Sequence, residues 1–164
     1  MKVQVRERMR QVLDWGAALW AGIISGALVF MLNIILSWIF LGSPWVLVRL
    51  TASILLGADV LPPPAGFDLA IFLAALLVQM ALSLFYGCLV VFVIFRWGLL
   101  VGFLGGAALG LAIYAINFFA ISYFFPWFFP MRSWILLLSH ALFGALAGGI
   151  YELLEEEEFV PVED

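Results

Sequence analysis

Cysteine, histidine and charge are the scarce materials of this 164-residue chain. One cysteine, Cys88, excludes a disulfide framework and any multi-cysteine zinc or iron–sulfur site. One histidine, His140, leaves a bis-histidine haem without its second ligand. Charged residues make up 11% of the chain, where soluble domains carry about 25%. They avoid four long stretches, roughly Trp15 to Leu41, Leu69 to Phe95, Gly98 to Phe124 and Trp134 to Tyr151. No carboxylate pair, nucleophile–base pair, metal cluster or phosphate loop can be built from what is left. The run Gly102-x-x-Gly105-Gly106 lies inside an apolar stretch and is not a nucleotide loop. No basic nucleic-acid surface is present. The expectation is therefore a protein that is not an enzyme, with no catalytic, cofactor-binding or metal-binding residue, no cofactor and no nucleic-acid partner.

What the chain has is apolar length, since 66% of it is hydrophobic. About 20 apolar residues cross a bilayer as a helix. The sequence thus predicts an all-α polytopic membrane protein, a single membrane domain of four transmembrane helices in contact with the lipid bilayer. The start is basic and then apolar, as in a signal peptide, but the apolar run is too long and lacks a cleavage site, so it reads as an uncleaved first span. Lys2, Arg6, Arg8 and Arg10 precede span one and Arg96 lies between spans two and three, whereas Arg49 and Arg132 fall in the first and third connections. A cytoplasmic amino terminus puts five basic residues inside and two outside, the expected bias. Four spans then bring the carboxyl terminus, with Glu152 and Glu155 to Glu158, to the same side.

The connections differ in character. Residues 1–14 alternate charged and apolar positions and predict an amphipathic cytoplasmic extension of the first helix. Ser43-Pro44 signals a helix start, with a capping hydroxyl and then proline. The helix predicted over 44–57 is too short to span, ends at Gly57, and is interfacial or re-entrant. Pro62, Pro63 and Pro64 predict an extended, stiff strap into span two. The link Phe95-Arg96-Trp97-Gly98 makes spans two and three antiparallel neighbours. The third connection, Phe124 to Trp134, carries two prolines and an aromatic belt. The acidic cytoplasmic tail, 152–164, is expected to be mobile after Leu154.

Span three carries Gly98, Gly102, Gly106 and Gly110, each four apart, which lays a groove along one helix face, with Gly105 widening it. Span one has Gly22, Ser25 and Gly26, and span four has Ala141, Gly144, Ala145 and Gly148. Close backbone approach through small residues holds helices together in lipid, where no hydrophobic force acts between them. Span three is therefore expected at the centre, touching span one, span four or both.

Few polar side chains interrupt the spans. Asn33 lies in span one, Gln79 and Ser83 in span two, Tyr114 and Asn117 in span three, and Ser139 and His140 in span four. At 1.5 Å per residue, Asn33, Gln79, Asn117 and His140 all fall in the outer half of the membrane, within about 10 Å of its centre. An amide stranded in hydrocarbon costs several kcal/mol, so these groups should face inward and bond each other. Two readings follow: interhelical glue, or a small polar cavity for a quinone, a lipid headgroup or a solute. His140 fits a hydrogen-bonded structural residue, since a proton relay needs carboxylates at depth. Arg49, Asp59, Asp68 and Arg132 are the outer-face charges, either a salt-bridged lid or groups solvated at the headgroups.

Ser43-Pro44-Trp45, Arg49 and the strap L-G-A-D-V-L-P-P-P-A-G-F-D resemble a family of small bacterial four-helix membrane proteins of unknown function, sometimes labelled sodium:proline symporter-like. Tyr86-Gly87, Ile116-Asn117-Phe118, Phe125-Pro126-Trp127-Phe128, Arg132-Ser133-Trp134, His140 and Phe143-Gly144 extend the likeness over roughly residues 15 to 151. It implies a bacterial cytoplasmic (inner) membrane. Members of that family tend to have histidine near the position of Gln79; glutamine here departs from a two-histidine site. Solute symporters use many more spans and internal repeats. The functional expectation is a non-catalytic accessory subunit of a larger respiratory or photosynthetic membrane complex. The alternatives are a small homo-oligomeric transporter or channel, or a quinone- or lipid-binding helper using the polar layer.

Overall fold

The computed structural model describes residues 9–156 and 158–161, so Lys2, Arg6 and Arg8, with most of the expected amphipathic start, lie outside the described residues. The order is β1 (Met9–Val12), α1 (Trp15–Leu41), α2 (Val46–Leu56), α3 (Leu69–Ile94), α4 (Gly98–Ala115), α5 (Trp134–Leu154) and β2 (Glu158–Pro161). The protein is an all-α polytopic membrane protein with four helices long and apolar enough to cross a membrane. Three of them begin where expected because local caps fix them. Asp14, Asp68 and Ser133 each accept a hydrogen bond from the backbone N–H three residues on, at 3.0, 3.1 and 3.4 Å. α4 begins at Gly98, whose φ of +75° turns the chain sharply out of the link from α3.

The chain ends depart from expectation. Residues 9–12 form a strand, not a helix, paired antiparallel with 158–161 and with Gln11 opposite Phe159. The extended backbone of Asp14 stops α1 from running back into this segment. The tail expected to be mobile is tied over its described part: Gln11 Nε2 donates to Glu155 (3.4 Å), and the Glu156 N–H donates to Asp14 (3.4 Å). Both ends of the described chain therefore lie on one side of the bundle, the ribbon side.

The central helix is α5, not span three. In its apolar window 56% of residues are buried, against 28 to 33% in the other spans. α5 packs on α1, α3 and α4, while α4 packs mainly on α5. The glycines explain this. A methyl group on Gly106 would overlap the carbonyl oxygen of Gly144, and one on Gly144 would overlap that of Gly106. A methyl on Gly148 would likewise overlap the Gly102 carbonyl oxygen, one on Gly102 would first meet the Glu152 side chain at 2.8 Å, and Gly110 faces the His140 carbonyl. The α4 groove has one face and one partner, whereas α5 carries small residues on several sides, including buried Ala145, Ala147 and Gly149. Gly98 does not belong to the groove, because nothing lies within 4 Å of where its methyl would be. Gly22 and Gly26 of α1 meet α3, not the expected span three, at a crossing that also uses Gly87, whose methyl would lie 2.6 Å from the Gly22 Cα.

α2 roofs the bundle on the side opposite the ribbon. Its Val48 and Ala52 pack with Phe30, Ala74 and Ala75, and its Leu47 and Leu50 with Phe118, Ile135 and Leu136. Ser43 bonds the Trp45 N–H (3.2 Å) and the Ala65 carbonyl (2.7 Å), so it caps the turn before α2 rather than the helix itself. Gly57 ends α2 as expected. The proline strap bends over residues 61–64, with cis bonds at Pro62–Pro63 and Pro63–Pro64, where an extended run was expected.

Candidate functional site

Span three does not stay α-helical to its end. α4 stops at Ala115, and Ile116–Ala120 is wound as a π-helix before a 3-10 turn over Ile121–Tyr123. π turns recur at functional sites because the extra residue re-aims the side chains around it. This one carries Asn117 and Phe118. Asn117 is seven residues beyond Gly110, on the same helix face, and Gly110 is where the His140 backbone comes closest. The glycine register thus brings Asn117 and His140 together, 3.3 Å apart from Nδ2 to Nε2.

The geometry fixes the protons. His140 Nδ1 lies 2.7 Å from the Leu136 carbonyl oxygen, which can only accept, so Nδ1 carries the hydrogen. Nε2 of the neutral ring then accepts from the Asn117 amide. That orients the Asn117 oxygen toward Tyr86, whose hydroxyl donates to it at 2.6 Å. A one-way chain results, running Tyr86 to Asn117 to His140 to the Leu136 carbonyl and linking α3, span three and α5. Tyr114 and Phe118 hold the imidazole edge-on, with ring centroids 5.5 and 5.8 Å away.

Two further polar groups sit beside this chain. The Ser139 hydroxyl lies 2.5 Å from the Asn33 oxygen and 2.8 Å from the Ile135 carbonyl, one proton shared between two acceptors. Gln79 Nε2 donates to the Gly26 carbonyl (3.3 Å) and to Ser83 Oγ (3.2 Å), using both its hydrogens. Asn33, Gln79, Asn117 and His140 all line one cavity of about 230 Å³. They are gathered but not all bonded to one another; among the four, the direct bond is Asn117–His140. Leu47, Leu50 and Thr51 of α2 roof the cavity with Phe128 from the third connection, and Ile54 of α2, Ile121 of span three and Phe125 complete its lining. Trp127 Nε1 clips that connection to Ser53 of α2 at 2.9 Å.

The outer-face charges lie outside the cavity wall and form no ion-paired lid with one another among the described residues. Arg49 spreads its guanidinium over the strap, donating to the Gly66 and Val60 carbonyls at 3.0 Å each. Asp68 is occupied as the α3 cap. Arg132 donates to the Phe129 carbonyl and lies 3.7 Å from the Phe129 ring centroid. Asp59 is exposed in a short 3-10 turn, Ala58–Val60. Backbone carbonyls and rings satisfy the cations at shorter reach than the carboxylates.

Tyr86 is a member of the site that polarity alone did not single out. Its signal was present: Gln79, Ser83 and Tyr86 follow at steps of four and three, a polar stripe on one face of α3. Comparison with known protein families, curated proteins and solved structures finds no match.

Proposed function

We propose that this chain is a non-catalytic membrane protein that holds one small, uncharged, ring-shaped molecule of the quinone-headgroup type in the roofed cavity. Its setting would be the bacterial cytoplasmic membrane, with both ends cytoplasmic. One observation carries the reading: four helices each place an amide or imidazole in the wall of a single cavity whose other lining is mainly apolar. Among the described residues no charged side chain lines it, so an ion would lose its hydration there without compensation. At about 230 Å³ it exceeds the roughly 150 Å³ that accommodates benzene in an engineered apolar cavity. Asn33 Nδ2 and Gln79 Oε1 have no protein partner among the bonds of the described residues, which leaves a donor and an acceptor for a ligand.

The arrangement disfavours a channel. Toward the ribbon side the cavity ends on a buried layer of Val90, Ile94, Ile113 and Ala147. The accessory-subunit role is compatible with ligand binding, and co-purification of other membrane chains under mild detergent would support it. The test of the binding role is titration of the purified protein with duroquinone, read by tryptophan fluorescence. Saturable binding of one equivalent is expected, weakened at least tenfold in Asn117→Leu and His140→Leu proteins that still fold by circular dichroism. No saturable binding, or equal binding in both variants, refutes it.

A further inference from the structure

α3 and α4 meet through a link of three residues, yet they part company toward the roof. The α4 glycine face is committed to α5, and α3 is drawn toward α1 and α2. Beyond the Tyr86–Asn117 bond, α3 and the π-wound segment of span three do not pack closely among the described residues. A seam is left between them. Its lower end is closed by Tyr86–Asn117, and above it the Trp127–Ser53 bond joins the third connection to α2. Between these two clips the cavity wall is made by Ile54 and Leu82 on one side and Ile121 and Phe125 on the other, all apolar. Ile121 is both a cavity-lining residue and 38% exposed on the outside of the bundle, so the wall there is one side chain thick.

From this we infer that the cavity is reached sideways from the bilayer through the α3–span three seam, and that its ligand is a lipid-like molecule with a neutral ring inside and an apolar tail lying in the seam. The inference rests on the binding role proposed above and adds the tail and its route. The alternative route, through the roof, is crossed by α2, by the Trp127–Ser53 clip and by the Arg49-bound strap. An apolar tail leaving by the seam stays in hydrocarbon, whereas one leaving through the roof meets the headgroups.

The test compares two probes on the full chain in lipid nanodiscs: tailless duroquinone and a benzoquinone bearing a decyl chain. Two variants, Leu82→Trp and Ile121→Trp, fill the seam; the second alters a partly exposed side chain, and its fold is checked by melting. The decyl probe is expected to bind the unaltered protein at least tenfold more tightly than duroquinone. In either variant the ratio of decyl-probe to duroquinone affinity, both measured on that same protein, should fall from tenfold or more toward one. A decyl probe with a photoreactive tail end should label α3 and residues 116–125 of the unaltered protein. Equal loss for both probes, no loss for either, or labelling confined to α2 and the strap overturns the inference while leaving the binding role standing. Failure of both probes to bind the unaltered protein removes the binding role itself, and the inference with it.

Discussion

Replacing Gly106 by alanine should separate the bundle at its centre. The new methyl would sit on the Gly144 carbonyl oxygen, 2.9 Å from the carbonyl carbon and 3.4 Å from the Ala145 nitrogen. Carbon atoms in contact prefer about 3.5–4.0 Å. The obstacle is helix backbone, which cannot rotate aside as a side chain does, so α4 and α5 must move apart by roughly 1 Å along their shared face. Overpacking of this kind costs about 1–3 kcal/mol. Here the upper part of that range applies, because the same shift also loosens the reciprocal contact at Gly144. The gain from alanine in a helix, about 0.5–1 kcal/mol, offsets part of it. A net loss of about 2 kcal/mol follows. Two controls isolate the cause. At Gly105 the nearest atom to an added methyl is 3.7 Å away, so Gly105→Ala should be neutral or stabilising by about 0.5 kcal/mol. At Gly98 the space is open but φ is +75°, so Gly98→Ala should cost about 1–2 kcal/mol through the backbone alone. Unfolding of the detergent-solubilised protein by increasing mole fraction of dodecyl sulfate, followed by circular dichroism, ranks the three. A Gly106→Ala protein as stable as Gly105→Ala would refute the reciprocal-contact argument.

Three other outcomes are expected. Ser25 is fully buried and its hydroxyl has no hydrogen-bond partner among the described residues, so Ser25→Ala should stabilise the protein by about 1 kcal/mol in the same assay; a loss of stability would refute this. Arg49→Lys should free the strap nearly as much as Arg49→Met, because one ammonium does not reproduce a fork that spans the Gly66 and Val60 carbonyls; protease cleavage between Ala58 and Asp68 should rise in both, and protection restored by lysine would contradict this. Asp14 is held below the usual carboxylate range, first by the hydrogen bond from the Ala17 N–H, then by one from Glu156, against a partial desolvation that raises it. Its folded value is the depressed one, so its contribution is complete above the unfolded aspartate value and is lost as pH falls through the folded value. Protection at the Ala17 and Glu156 amides, taken relative to the intrinsic exchange rate at each pH, should therefore fall at acid pH, and this fall should vanish in Asp14→Asn.

The spans were legible because bilayer thickness demands apolar length; the caps Asp14, Asp68 and Ser133, one place before three of the helix starts, come from the structure. α1 runs from Trp15 to Leu41 as expected, α3 stops one residue short at Ile94, and α5 runs on to Leu154. The winding of residues 116–123 was not legible. Nothing in Ile116-Asn117-Phe118 forbids an α-helix, and the π turn is a tertiary outcome seen in the placing of Asn117 beside His140 and Tyr86. The ribbon was hidden because Met9 to Val12 reads as amphipathic in either conformation; only the distant segment Glu158–Pro161 makes it a strand. The members of the polar layer could be named from the sequence, since any amide in an apolar span must turn inward. Their partners could not, because Ser139 for Asn33 and Gly26 for Gln79 depend on helix rotation, which the glycine contacts set.

The helix that all the others lean on follows them in synthesis. α1, α3 and α4 can each enter the bilayer alone, because their backbones are satisfied within themselves. Until α5 arrives, however, the α4 groove has no counterpart and Asn33 and Asn117 face no serine or imidazole. Insertion and assembly are thus separate stages, with a waiting period in which three polar-bearing helices sit in lipid unassembled. A ribosome stalled before Trp134 should accordingly display a membrane-integrated chain that chaperones and membrane proteases treat as unfinished, and release of the remaining twenty or so helical residues should complete the architecture at one stroke.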